Sequence, residues 1–90
     1  MKKSYRFEFS RPAEKEFAVL PRVLQSRMLK KLEYFQNSND PLVFAKKLIG
    51  TEDKFRFRVG DYRIVVSKID KNTFVILLML KIAHRKDVYS

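Results

Sequence analysis

Four cationic side chains recur at regular positions in residues 54–63, the stretch KFRFRVGDYR. Lys54, Arg56 and Arg58 alternate with apolar residues, and a period of two is the side-chain period of a β-strand. A two-residue turn at 60–61 would then place Arg63 directly opposite Arg58, on the same face of a hairpin. The spacing therefore predicts one cationic face and one apolar face.

This clustering of like charge is not needed for amphipathicity, because uncharged polar residues would serve equally well on a wet face. Like charges directly opposite each other in a sheet destabilise it, and a local cost of this kind points towards a functional site. The ligand that fits best is a phosphodiester backbone, which guanidinium groups bind through paired hydrogen bonds. The alternative is a solvated sheet edge whose flexible cations spread apart.

Several reaction classes are disfavoured by the residue types present. The acidic residues are scattered, there is one histidine, there is no cysteine, and no glycine-rich phosphate loop occurs. This argues against a two-metal nuclease, a thiol nucleophile and nucleotide hydrolysis. No metal or other cofactor is expected.

Metal-free RNA cleavage remains open, because there the substrate's own 2′-OH attacks the adjacent phosphate. The protein then has to supply a base, an acid and cations. Lys54, crowded by other cations, is a candidate base. The C-terminal stretch KIAHRKDVYS adds His84, whose imidazole titrates near neutral pH, and Tyr89, which could stack on an RNA base. The alternatives are a surface or core histidine and a tyrosine that packs as a hydrophobic plug.

Composition favours one small basic domain over residues 1–90. Twenty Lys and Arg against ten Asp and Glu give a formal charge of +10, and 46% of the 90 residues are hydrophobic. The electrostatic field of this charge attracts polyanions, of which nucleic acid is the first candidate, followed by acidic protein or an anionic membrane. The alternative is a basic protein whose charge has no binding role. The longest apolar run, residues 74–80, is too short to span a bilayer, and the N-terminus does not resemble a signal peptide. We therefore expect a cytoplasmic protein.

The remaining pattern predicts an α+β fold. Residues 4–10 alternate as a first strand, Ser10 is a candidate N-cap, and Pro21 separates two helices that should form a hairpin. Residues 42–50 could form a single helical turn ending at Gly50. Strands are predicted at 54–59, 62–69 and 73–82, as a three-strand antiparallel meander with the helices packed on the sheet. Because residues 74–80 are all apolar, the last strand should be central and covered on both faces.

The chain as a whole resembles the RelE/ParE superfamily of toxins from type II toxin–antitoxin systems. The resemblance covers essentially all 90 residues and is carried by the segments SRPAEKEF, AKKLIG, KFRFRVGDYRIVV and HRKDVY. It implies a RelE-like, microbial RNase-like fold and one of two activities. RelE-type toxins are ribosome-dependent mRNA endoribonucleases, to which this sequence is most similar, whereas ParE-type toxins inhibit DNA gyrase without nuclease activity.

The resemblance also implies roles for individual residues. Lys54 and Arg56 match the paired lysines of the RelE-type strand, and since a guanidinium is a poor base, Lys54 takes the base role and Arg56 an electrostatic one. Arg63 matches the arginine that holds the scissile phosphate, and Tyr89 the tyrosine that stacks on the substrate base. The C-terminal arginine of the family falls near Ala83, so the acid role passes to His84 or Arg85. The further cations expected to contact RNA are Arg58, Lys30, Lys31, Lys46, Lys47, Lys81 and Lys86.

The resemblance implies partners as well. They are mRNA, the rRNA of the ribosome, and a cognate antitoxin that is acidic where a helix or extended segment of it covers the cationic face. No membrane partner is expected. The free toxin should be a monomer that forms oligomers only with its antitoxin.

Overall fold

The computed structural model describes residues 4–82 and has an α+β architecture, as predicted. The elements are β1 (Arg6–Phe9), α1 (Arg11–Ala18), α2 (Arg22–Gln36), a 3₁₀ turn (Pro41–Phe44), β2 (Ala45–Lys47), β3 (Lys54–Val59), β4 (Tyr62–Lys68) and β5 (Thr73–Lys81). They form one five-stranded sheet in the order β1-β5-β4-β3-β2. The sheet is mixed, because β1 pairs with β5 in parallel whereas the other pairs are antiparallel.

Side-chain caps explain how the chain passes from β1 into its helices. The Ser10 hydroxyl accepts a hydrogen bond from the Ala13 amide (3.3 Å) and donates one to the Leu77 carbonyl (3.1 Å). It therefore caps α1 and ties the start of that helix to β5. At the other end of α1, the Gln25 side-chain amide donates to the Phe17 carbonyl at 3.0 Å, which joins the first turn of α2 to the last turn of α1.

The prediction of a helical turn over residues 42–50 is wrong in extent. The turn covers only Pro41–Phe44, where the Asp40 carboxylate accepts a hydrogen bond from the Leu42 amide at 3.0 Å. The chain then extends into β2, which pairs antiparallel with β3. The open edge of β3 accounts for this difference. If residues 45–47 were helical, the backbone N–H and C=O groups on that edge of β3 would lack partners, and pairing with β2 supplies them. Gly50, at φ +82°, lies in the connection to β3.

The hydrophobic core lies between the two helices and one face of the sheet. Helix α2 contributes Met28, Leu32 and Phe35, all buried, whose spacing of three and four residues places them on one face of the helix. The sheet contributes buried residues from β3, β4 and β5: Phe57, Val59, Ile64, Val66, Phe74, Ile76 and Met79. Aromatic rings dominate the centre, with Phe35 and Phe57 5.0 Å apart between ring centroids.

The prediction that β5 is covered on both faces is wrong at its C-terminal end. A register shift between Val65 and Val66 leaves one extra, unpaired residue on β5, and because of this bulge Met79 still faces the core. Leu80 pairs with Arg63 and is 49% exposed. The second face of the sheet is therefore partly open where the cationic side chains lie.

Candidate nucleic-acid interface

The hairpin of β3 and β4 has the predicted register. Arg58 pairs with Arg63 and Val59 with Tyr62, across a turn in which Gly60 adopts φ +58°. This left-handed backbone favours glycine, so Gly60 fixes the two-residue turn and with it the register. Arg58 and Arg63 consequently lie on the same face, opposite the apolar core face.

The short strand β2 adds a further cation to this face. Lys46 pairs directly with Arg56, so the cations extend over three neighbouring strands. A groove of about 190 Å³ lies among them, and we call it the cationic groove. Its lining consists of Phe44, Lys46, Arg56, Phe57, Arg58 and Arg63.

Within the part of the chain that the structure describes, no ion pair joins a carboxylate to a cation of the groove. The three ion pairs found in residues 4–82 join Arg6 to Glu8, Lys47 to Glu52 and Lys54 to Asp53. The Arg58 side chain bends towards the turn and donates from Nε to the Gly60 carbonyl at 3.2 Å. Lys46 and Arg63 are exposed to solvent. This arrangement is suited to binding an extended chain of phosphates.

Lys54 is separated from this groove, although it belongs to the same strand face. Its Nζ lies 3.5 Å from a carboxylate oxygen of Asp53, and its cross-strand partner is Ser67. Four residues of strand separate it from Arg58, which corresponds to about 13 Å. The candidate base is therefore at the opposite end of the hairpin from Arg58 and Arg63.

Asp53 is held as a carboxylate by its neighbours. The Ser67 hydroxyl donates to it at 2.9 Å, and this hydrogen bond, aided by the positive charge of Lys54, lowers the pKa of Asp53 below its ordinary value. The hydrogen bond and the charge together outweigh the opposing effect of desolvation. Asp53 therefore remains an anion next to Lys54 at neutral pH.

The other predicted RNA-binding lysines do not line the groove. Lys30 is exposed on α2, and the Lys31 ammonium lies 5.0 Å from the ring centroid of Tyr34. Lys47 and Lys81 pair with Phe55 and Tyr62 respectively, which places both on the helix side of the sheet. Any contact that these four lysines make with RNA would thus be made outside the groove. Four further predicted residues, His84, Arg85, Lys86 and Tyr89, lie outside the described residues.

Phe44 also lies in the groove lining, although it is not among the predicted site residues. The signal that could have identified it is an aromatic residue two positions before the paired lysines, in the segment PLVFAKK. Within residues 4–82 the structure contains no group of three or more potential metal ligands. No helix in that range is long and apolar enough to cross a membrane.

Comparison with known proteins identifies the family. A family model described as the ParE toxin of the type II toxin–antitoxin system parDE matches residues 7–89. A RelE-like toxin protein of Escherichia coli is 28% identical over 88 residues, which are 96% of this chain and 90% of that protein.

Solved structures share the fold. The toxin–antitoxin complex RelBE2 from Mycobacterium tuberculosis matches with a TM-score of 0.74 at 24% identity, over 88% of this chain and 99% of that chain. The isolated RelE toxin of Escherichia coli gives 0.70 at 22% identity, over 96% and 93%. The RelE–RelB complex from the archaeon Pyrococcus horikoshii gives 0.68 at 27% identity, over 88% and 96%. With the family model matching residues 7–89, the chain belongs to the ParE toxin family within the RelE/ParE superfamily, and it is a toxin of a type II toxin–antitoxin system.

Proposed function

We propose that this toxin is a ribosome-dependent endoribonuclease that cleaves mRNA without a metal ion. The observation that carries the proposal is the cationic groove, in which Lys46, Arg56, Arg58 and Arg63 converge and none of the ion pairs found in residues 4–82 involves them. A phosphate in this groove would be surrounded by donors that carry permanent positive charge. Such donors stabilise the extra negative charge that develops on the phosphate in the transition state.

The reaction is an attack of the substrate's 2′-oxygen on the adjacent phosphorus. The bond from phosphorus to the 5′-oxygen breaks, leaving a 2′,3′-cyclic phosphate, or a 3′-phosphate after hydrolysis, and a 5′-OH. A base removes the 2′-OH proton and an acid returns a proton to the leaving 5′-oxygen. In this proposal Arg63 holds the scissile phosphate, and Arg56 and Arg58 contribute positive charge.

The acid and base roles follow the family resemblance. Lys54 takes the base role, for which its amine has to leave the Asp53 carboxylate, whose oxygen lies 3.5 Å from it. His84 or Arg85 takes the acid role, and Tyr89 stacks on the substrate base. On the ribosome, the exposed Lys30 of α2 binds rRNA phosphates without regard to sequence.

A partner protein follows from the same groove. Solved structures similar to this chain include RelB–RelE antitoxin–toxin complexes from Methanococcus jannaschii and Escherichia coli. We propose that the cognate antitoxin of this toxin places acidic side chains over the cationic groove. Such an antitoxin would block RNA access and would relieve the repulsion among the groove cations.

A second candidate function is inhibition of DNA gyrase without any chemical step. The observation that favours it is the family model itself, which describes ParE toxins and matches residues 7–89. The separation of Lys54 from Arg58 and Arg63 is also compatible with a protein that only binds.

One experiment distinguishes the two functions. Purified toxin is added to a translating ribosome extract, mRNA ends are mapped by primer extension, and gyrase supercoiling is assayed in parallel with the same preparation. We expect new mRNA ends with a 5′-OH, formed only when ribosomes translate, with supercoiling unaffected. Intact mRNA together with inhibited supercoiling would reject the endoribonuclease and support the gyrase inhibitor.

A further inference from the structure

An aromatic ring stands at the border of the cationic groove, outside the set of residues that resemblance assigns to the reaction. Phe44 is the last residue of the 3₁₀ turn, and it is one of the residues that line the groove, together with four cations. It is 40% exposed, whereas Phe57 beneath the groove is only 1% exposed. Phe44 therefore keeps aromatic surface available to a bound molecule.

The ring of Phe44 is held in place from below. Its centroid lies 5.1 Å from that of Phe35, at an interplanar angle of 32°, and 5.4 Å from that of Tyr34. Phe35 is buried in the core and packs in turn on Phe57 at 5.0 Å. Because these contacts fix the ring before any ligand arrives, little side-chain freedom is lost when another flat ring stacks on it.

Cations beside a fixed, exposed aromatic ring are the combination by which proteins bind single-stranded nucleic acid. The cations follow the phosphates, and each base offers a flat face to an aromatic side chain. A duplex would not use Phe44, since its bases are already stacked. Charge complementarity within the groove selects a polyanion as the occupant.

We propose that Phe44 is a base-stacking residue that positions single-stranded RNA in the cationic groove, with one unstacked base lying against the exposed part of its ring. This inference rests on the proposed function for the identity of the strand as mRNA. It adds a position-determining contact within the described residues, distinct from the C-terminal tyrosine that resemblance implies. Stacking on Phe44 would set which nucleotide lies next to Arg63.

The test measures binding apart from cleavage. The probe is a labelled single-stranded RNA of about ten nucleotides, within the usual range of site sizes, whose 2′-O-methyl groups prevent attack on phosphorus. Fluorescence anisotropy at low salt gives Kd for the wild-type toxin and for Phe44→Ala, Phe44→Leu and Phe44→Tyr. Val43→Ala is the matched control, because Val43 is the adjacent residue, is 75% exposed and does not line the groove.

We expect Phe44→Ala to raise Kd by roughly fivefold to a hundredfold, the range for loss of one stacked base. Phe44→Leu, which keeps most of the apolar packing against Phe35, should lose nearly as much, whereas Phe44→Tyr and Val43→Ala should bind within about twofold of wild type. Thermal melting of each variant shows whether its fold is intact. If Phe44→Leu is folded and binds RNA as tightly as the wild type, the proposal is wrong.

A scan with abasic nucleotides provides the decisive comparison. Removing the base at one position of the RNA should weaken wild-type binding, and the same removal should have no effect on Phe44→Leu. Equal sensitivity in both proteins would overturn the proposal, as would undetectable RNA binding by the wild type, or a Phe44 effect confined to antitoxin affinity. If the abasic result holds but translating ribosomes yield no cleaved mRNA, then the stacking site stands and the endoribonuclease function fails.

Discussion

Replacing Arg63 with alanine tests the cationic groove most directly. Arg63 is exposed, lies opposite Arg58, and forms no ion pair within residues 4–82. Surface substitutions of this kind usually change the free energy of unfolding by no more than about 0.5 kcal/mol. Removing one of two opposed like charges should shift that small change towards stabilisation, since such pairs cost roughly 0.2–1 kcal/mol. In a domain of this size, Tm should therefore stay the same or rise by a few degrees, at roughly 4–8 °C per kcal/mol.

The effect on the reaction should be far larger. If Arg63 stabilises the charge that develops on the scissile phosphate, its loss should lower the single-turnover cleavage rate by about 10²–10³-fold. Arg63→Lys should recover only part of that rate, because an ammonium keeps the charge but cannot form the paired hydrogen bonds of a guanidinium. The rate is measured on ribosomes programmed with a defined mRNA, and Tm on the same samples.

Arg11→Ala is the matched control for Arg63→Ala. It removes the same charge from an exposed arginine in the first turn of α1, away from the groove lining. Its cleavage rate should remain close to that of the wild type. A folded Arg63→Ala toxin with full cleavage and full toxicity would refute the role of the groove. Inhibition of DNA gyrase would then be the better-supported function.

Three further outcomes follow from the same structure. Lys30→Ala should weaken ribosome binding and reduce the slope of log K against log salt by roughly one unit, while the single-turnover rate stays constant; an altered rate would contradict a pure anchoring role. Because hydrogen bonding lowers the pKa of Asp53, the stabilisation that this carboxylate provides is present above its ordinary value of 3.8 and is lost as pH falls through the lower folded value. Asp53→Asn should therefore show a smaller loss of Tm between pH 6 and pH 3 than the wild type does, and equal losses would count against the Ser67 hydrogen bond. Finally, expression without an antitoxin should arrest growth and expression of Arg63→Ala should not, so growth with abundant wild-type toxin would argue against toxicity.

The sequence was sufficient to predict the hairpin because two local signals agree there. Strict alternation on both sides of a Gly-Asp pair leaves one register that keeps the phenylalanines together, and a shift by one residue would reverse every side chain. The position of Arg63 opposite Arg58 follows from that register alone. The helices were predictable for a similar reason, since Ser10 and Pro21 mark boundaries that the apolar spacing confirms.

The features missed by the sequence analysis depend on contacts between distant segments. Strand β2 is three residues long, too short to show alternation, and it forms because β3 offers an unpaired edge. The place of Lys46 beside Arg56 follows from that pairing and from nothing local. The ion pair of Lys54 is likewise a tertiary result, because Ser67 of β4 holds the Asp53 carboxylate in position. The position of Phe44 likewise depends on a tertiary contact, because its ring packs on Phe35 of α2.

Repulsion among the groove cations lowers the stability of the sheet, so other interactions must hold its strands together. Each opposed like-charge pair costs up to about 1 kcal/mol, whereas burying one phenylalanine side chain contributes roughly 1.5–3 kcal/mol. Phe57 lies on β3 between Arg56 and Arg58, points to the opposite face, and is almost completely buried. Its edge-to-face contact with Phe7, at 5.4 Å, and its packing on Phe35 anchor β3 from the core side. Along β3, the groove residues Arg56 and Arg58 are thus each followed by a buried residue, Phe57 and Val59, whose burial offsets the repulsion between the cations.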